Sequence, residues 1–175
     1  MLHILPYSIV ISITTQTLSL YDNQILLQEY AISSGLKGVG GEKNSGKTPL
    51  GLHVIRAKIG QDLPVNSVFV GRRATGESYS DALAKFAPNR DWVLSRILWL
   101  SGKEVGMNRL GQVDTMQRYI YIHGTPDTEP MGIPESHGCI RMRNADVIAL
   151  FDELDPGTPI WIQKVSLEKI SCQFV

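Results

Sequence analysis

Between residues 35 and 51 the chain places six glycines in 17 positions (35, 38, 40, 41, 46 and 51). No stable helix crosses such a segment, because each glycine costs about 1 kcal/mol relative to alanine in a helix interior. The stretch is therefore read as a long loop, and the apolar blocks around it as strands. Candidate strands lie near 7–13, 17–21, 25–33, 51–57 and 65–70, all rich in Ile, Val, Thr and Leu. At the N-terminal end Ser8, Val10, Ser12 and Thr14 alternate with Ile9, Ile11 and Ile13, the period of a strand. Asp22-Asn23, between two apolar runs, marks a hairpin.

Helical spacing enters later. Ser78 to Phe86 and Asn89 to Leu100 are expected as helices, the second carrying Trp92 and Trp99 seven positions apart on one core-facing stripe. Gly102 to Val113 returns to loop. Arg118 to His123 then alternates, with Ile120 and Ile122 on one face and Tyr119, Tyr121 and His123 on the other, and runs into Gly124. A further helix is expected from about Asn144, acting as its N-cap. Its apolar stripe is Val147, Ile148, Leu150, Phe151 and Leu154, and Asp155-Pro156-Gly157 stops it. Pro159 to Val165 reads as a last strand. The class is mainly β with two or three helices, and the lack of regular βαβ alternation excludes a doubly wound sheet. A length of 175 residues with 43% apolar content fits one domain, 1–175.

Composition excludes several functions. Lys plus Arg equals Asp plus Glu at 17 each, which removes the basic footprint of a nucleic-acid binder. No uninterrupted apolar run is long enough for a membrane-spanning helix. The N-terminal residues lack the basic region, sustained apolar core and small-residue cleavage site of a secretory signal, so the expectation is a cytoplasmic chain, or a periplasmic or cell-wall one if an export segment was removed. The two cysteines, Cys139 and Cys172, are then expected as free thiols.

Gly41 to Thr48 matches the G-x-x-x-x-G-K-T phosphate loop. That loop must leave a strand directly and open a helix, because the phosphates sit on the helix N-terminus. Here Gly35 to Gly40 precede it, and Pro49-Leu50-Gly51 follow Thr48. Pro49 pushes Thr48 out of the helical region, so nucleotide binding is rejected.

The chemistry concentrates in Ser136-His137-Gly138-Cys139-Ile140-Arg141. A nucleophilic thiol needs a base or cation near it and backbone N–H groups aimed at the developing oxyanion. Gly138 permits a backbone conformation closed to other residues, so the N–H groups of Gly138 and Cys139 are the expected oxyanion donors. Two histidines qualify as base: His137, close in sequence, and His123, at a strand end before Gly124. No H-E-x-x-H or C-x-x-C spacing accompanies His123, His137 and Cys139, so neither a metal nor a cofactor is expected. His53 is read as a packing or surface residue, and Cys172, without a neighbouring base or cation, as inert.

His123-Gly124-Thr125, followed by S-H-G-C-I-R-M at 136–142 and preceded by T-P-L-G at 48–51, resembles the signature of the L,D-transpeptidase (YkuD-like) catalytic domain. The resemblance runs from about Ile9 to Trp161. It implies a β-sandwich with a helical and loop insertion, about 72–117, forming a flap, within which residues 102–116 are a lid or a passive loop. It implies Cys139 as nucleophile, His123 as general base, and Gly124 at the position whose carbonyl orients that histidine. Ser136, His137, Gly138 and Arg141 fall at the oxyanion and substrate positions, with Arg141 either clamping a terminal carboxylate or bracing its loop. The implied partner is a peptidoglycan tetrapeptide or muropeptide, cleaved between the L-centre of residue three (meso-diaminopimelate) and a terminal D-Ala. Water as acceptor, an L,D-carboxypeptidase of murein recycling, is the expectation for a cytoplasmic chain. The alternatives are a crosslinking L,D-transpeptidase of the cell wall and an inactive murein-binding module.

Overall fold

The structure is a computed structural model and describes residues 6–165. Cys172 and His3 lie outside the described residues. Ten strands, β1 (Tyr7–Ser12), β2 (Thr17–Asp22), β3 (Ile25–Ala31), β4 (Gly51–Ile59), β5 (Ser67–Val70), β6 (Arg73–Ser78), β7 (Val93–Gly102), β8 (Tyr121–Gly124), β9 (Ile140–Met142) and β10 (Pro159–Gln163), accompany two α-helices, α1 (Asp81–Phe86) and α2 (Asn144–Glu153). They form one hydrogen-bonded sheet in the order β3-β2-β1-β10-β4-β7-β5-β6, with β8 pairing both β7 and β9. Only β1 with β10 and β8 with β9 run parallel. The β2–β3 hairpin turns on Asn23 and Gln24, both at positive φ, the geometry that two-residue hairpin loops favour.

The sheet curls around a single large core. Ile9 and Ile11 of β1, Leu18 and Leu20 of β2, Leu98 and Leu100 of β7, Ile122 of β8, Ile140 and Met142 of β9 and Ile160 and Ile162 of β10 share it with Val147, Leu150 and Phe151 of α2. Of the stripe expected for α2, Val147, Leu150, Phe151 and Leu154 are buried, and Ile148 is only half-buried at its edge. Asn144 does not cap the helix: the cap position is Arg143, and the Asn144 side chain turns inward, donating to the Thr125 carbonyl at 2.9 Å.

The helix expected over Asn89 to Leu100 is instead β7, the strand that pairs with β4, β5 and β8. Its register shifts between Leu94 and Ile97, where Ser95 takes φ 63°. This bulge interrupts the alternation, and β7 is buried on both faces through Leu94 to Leu98. A run without period-2 alternation cannot be told from a buried helix by its spacing. Trp92 precedes the strand and packs edge-on against Tyr79, with ring centroids 5.1 Å apart, while Trp99 belongs to a different cluster with Phe69, Ile97 and Tyr121. The span 72–117, expected as one insertion, thus contains the sheet's longest strand. The helix expected from Ser78 begins at Asp81, capped by Ser80, whose hydroxyl accepts the Leu83 N–H.

The loop from Lys103 to Ile120 is tied down from beneath. Asn108 is fully buried, and its amide donates to the carbonyls of Leu50 and Leu52 at 2.9 and 3.2 Å. His53, expected as packing or surface, is buried in β4 and bridges the Gly51 carbonyl (2.9 Å) and the Thr115 hydroxyl (3.0 Å). Burial lowers the His53 pKa to about 4.

His53 therefore makes stability depend on acid. Unfolded histidine binds a proton below about pH 6.5, whereas the folded one resists until about pH 4, so protons favour the unfolded chain across that window. Chemical denaturation from pH 7 to pH 4 is expected to show stability falling as pH falls, by about 3 kcal/mol from this group at 1.36 kcal/mol per pKa unit. His53→Gln is expected to flatten that slope; an unchanged slope removes His53 as its source.

Candidate active site

Parallel pairing of β8 with β9 sets Ile122 opposite Ile140, His123 opposite Arg141 and Gly124 opposite Met142. Side chains alternate along a strand, and paired positions share a face. One face, Ile122, Ile140 and Met142, enters the main core. The other carries His123 and Arg141, with Tyr121 and Cys139 two residues earlier on each chain. The alternation expected over Arg118 to His123 holds from Ile120 onward and fails at Tyr119, which is half-exposed at φ 57°.

His123 is buried, and its Nδ1 lies 2.7 Å from the Gly124 carbonyl. A carbonyl oxygen only accepts, so this contact puts the proton on Nδ1 and leaves the lone pair on Nε2. Burial lowers the pKa of His123, with the Gly124 bond opposing the shift. Gly124 has no room for a side chain: a Cβ there would come within 2.5 Å of Asn144 Oδ1 and 2.6 Å of the Leu94 carbonyl. Asn144 is held by the Ser95 hydroxyl, which donates to Oδ1 at 2.6 Å, so the β7 bulge helps fix the backbone that orients the imidazole.

Cys139 is partly buried. Its thiol donates to the Tyr119 carbonyl at 3.5 Å and accepts the Tyr121 N–H at 3.4 Å. Desolvation pushes its pKa up to about 12. At neutral pH the resting site thus holds a neutral thiol and a neutral imidazole.

Gly138 takes φ 120°, and a Cβ there would meet the Lys47 carbonyl at 3.0 Å. Its N–H is not the oxyanion donor expected from sequence. It donates to the Ser136 hydroxyl at 3.1 Å, and that hydroxyl donates to the Cys139 carbonyl at 2.5 Å. Among the described residues the backbone N–H groups of His137 and Cys139 have no protein acceptor, which leaves these two for an oxyanion. Ser136 is thereby a brace of the nucleophile loop. The loop is also held by Thr48, whose hydroxyl donates to the Gly138 carbonyl at 3.0 Å and accepts the Gly35 N–H at 2.9 Å. The T-P-L-G segment acts through this bond, and the backbone after Thr48 enters β4 rather than a helix, as the rejection of the phosphate loop requires.

Asp91 is the site residue that sequence reasoning missed. It precedes β7 and sends Oδ1 to Arg141 Nη2 at 2.7 Å and Oδ2 to His137 Nδ1 at 3.1 Å. Arg141 is buried, with Nη1 3.8 Å from Glu129 Oε2 and its Nε unpaired. Positive charge from Arg141, with the bonds from His137 and Arg141, outweighs burial and lowers the Asp91 pKa. These groups line a cavity of about 150 Å³ together with Trp92, Thr125 and Pro126. The geometry is that of a brace for Arg141, since its charge is met internally. His137, largely exposed and paired with Asp91, is not packed beside the thiol as a base would be. No group of three or more metal-ligating side chains occurs among the described residues.

A thiol and a buried, backbone-oriented imidazole on one face of two adjacent strands, with N–H groups in the thiol's own loop that lack a protein acceptor, have the parts of a cysteine acyl-transfer centre. The chain belongs to the YkuD family, the L,D-transpeptidase catalytic domain, whose model matches residues 6–162. Among solved structures it resembles an L,D-transpeptidase from Mycobacterium smegmatis at 19% identity and a TM-score of 0.55, covering 91% of this chain and 59% of that one. It also resembles L,D-transpeptidase 3 from Mycobacterium tuberculosis in complex with a faropenem-derived adduct, at 17% identity and a TM-score of 0.56, covering 91% and 61%. The chain thus spans about 60% of the length of these two structures. No curated protein sequence matches it.

Two outcomes test this geometry. Gly124→Ala forces a methyl into the Asn144 and Leu94 contacts and is expected to cost roughly 1–3 kcal/mol in urea denaturation, the range for overpacking a filled site. Alkylation of Cys139 by iodoacetamide is expected to be slow at pH 7 and to rise continuously toward alkaline pH. A reactive plateau between pH 5 and 7 would instead reveal a preformed thiolate–imidazolium pair.

Proposed function

We propose that this domain is a cysteine acyl-enzyme acting on peptidoglycan stem tetrapeptides at the bond between the L-centre of residue three, meso-diaminopimelate, and the terminal D-Ala. The observation that carries the reading is the fixed Nδ1–H tautomer of His123 on the same sheet face as Cys139. His123 Nε2 takes the thiol proton as Sγ bonds to the scissile carbonyl carbon. The N–H groups of His137 and Cys139 receive the oxyanion. As the tetrahedral intermediate collapses, the C–N bond breaks, His123 returns its proton to the leaving amine, and D-Ala departs from a Cys139 thioester. Water or the amine of a second stem then attacks the same carbonyl, with His123 again as base, and the C–S bond breaks as His123 returns the proton to Sγ of Cys139. Water gives L,D-carboxypeptidase activity and the amine gives a crosslink.

Incubation with a disaccharide tetrapeptide followed by mass spectrometry tests this directly. Loss of D-Ala alone identifies water as acceptor, and a dimer identifies the amine. Cys139→Ala is expected to abolish both, and His123→Ala to slow acylation by about 10²–10⁴-fold, the usual worth of a general base. An unchanged substrate, together with no carbapenem adduct on Cys139 by intact mass, overturns the reading in favour of an inactive murein-binding module.

A further inference from the structure

The surroundings of Cys139 differ in charge from one side to the other. On the Arg141 side the guanidinium is matched by Asp91 at 2.7 Å and faces Glu129 at 3.8 Å, so a substrate carboxylate entering there meets two protein carboxylates already in place. On the Tyr119 side the balance is reversed. Arg72 stands with its guanidinium carbon 4.4 Å from the Trp99 ring centroid and 4.8 Å from that of Tyr119, and its Nη1 donates to the Tyr121 hydroxyl at 3.0 Å. These two tyrosines hold the thiol, through the Tyr119 carbonyl and the Tyr121 N–H. Among the described residues no carboxylate lies within ion-pair distance of Arg72. Arg118, whose charge reaches the thiol, has both terminal nitrogens occupied by Gly40, Ser45 and Lys47 oxygens.

The local backbone points the same way. Gly71 and Arg72 form the two-residue link between β5 and β6, and both have positive φ, 54° and 67°. Such links favour Gly, Asn or Asp at both positions, so an arginine at the second works against the turn. Strain of this kind, on the order of 1–3 kcal/mol, persists where surrounding contacts over-determine it. The Trp99, Tyr119 and Tyr121 contacts supply that determination. A guanidinium stacked by its faces keeps in-plane N–H groups along its edge, the arrangement that recognises a carboxylate.

We propose that Arg72 binds the free α-carboxylate of the substrate's C-terminal residue, the residue that leaves when Cys139 is acylated. This assignment rests on the function proposed above and replaces Arg141 as the carboxylate clamp. Arg72 then sets specificity for the end of a peptide chain, since an internal peptide bond offers no carboxylate at that position.

The test compares kcat/KM for a stem tetrapeptide ending in a free carboxylate with that for the same peptide ending in a primary amide, in the wild-type protein, R72Q and R72K. A charge-assisted hydrogen bond contributes roughly tenfold or more, so the wild type is expected to prefer the free acid by at least that factor. R72Q is expected to bring the ratio of the two values close to one, with R72K between. Because a ratio is read, loss of folded protein from the missing stack cancels. A wild-type ratio near one, or a ratio that survives in R72Q, overturns the Arg72 assignment and leaves the acyl-enzyme standing. Failure of the wild type to release the terminal residue from either peptide overturns both.

Discussion

The parallel pairing of β8 with β9 is the constraint on which the rest of the site depends. Two strands of four and three residues are too short to stand alone, and they persist because Ile122, Ile140 and Met142 are sealed into the core against α2 and β7. Burial of such side chains is worth roughly 1.5–3 kcal/mol each. Anchoring one face in this way fixes the other. A one-residue slip would send His123 into the core and an isoleucine into the cleft, so the hydrophobic pattern enforces the register that keeps His123 and Cys139 on one face.

Around that pair the chain uses loops as rigid parts. The glycine-dense segment before β4 delivers Thr48 to the Gly138 carbonyl, while Ser136 closes a short hydrogen-bonded circuit through Gly138 N–H and the Cys139 carbonyl. Gly138 and Gly124 are each required for a separate reason. The first needs its backbone angle and its approach to Lys47, and the second lies where Asn144 and Leu94 leave no space for a Cβ. The same loop that resembles a phosphate cradle thus fixes the nucleophile's backbone. Residues 103–120 are likewise held by buried Asn108, Thr115 and His53, which makes the base of the segment a fixed wall rather than a hinge.

Much of this was legible in the residues themselves. The early strands, the Ile120/Ile122 face and the stripe of α2 follow from simple periodicity, and Cys139 and His123 stand out because their neighbours are unusual. What escaped has a common physical cause, which is dependence on distant partners. β7 loses its alternation to the bulge at Ser95, and a buried arginine in mid-strand, Arg96, donates through Nη1 to the carbonyl of Leu63, thirty-three residues away, while its Nε stays unpaired. Asp91 acquires its role only when the fold brings it to Arg141, fifty residues on. The Gly138 N–H is taken by a hydroxyl two residues earlier, a competition that depends on a side-chain direction that spacing does not encode.

The electrostatics of the resting site limit how catalysis can begin. Burial pushes the Cys139 thiol up to about 12 and shifts the His123 imidazole downward, so both groups are biased toward their neutral forms in the resting site. For the acyl transfer proposed above, this bias favours ionisation that accompanies bond formation, with charge passing from sulfur to the carbonyl oxygen as the proton passes to His123. In that proposal the N–H groups of His137 and Cys139 act where the charge arrives rather than where it starts, which is the arrangement that lowers a barrier instead of stabilising the ground state. The cations near the sulfur follow the same rule. Arg141 is matched by Asp91, Arg118 is absorbed by backbone oxygens, and neither contacts the thiol closely enough to hold it ionised. On that proposal the thiol stays unreactive until a carbonyl is positioned over it, and selectivity lies in the groups that position the peptide.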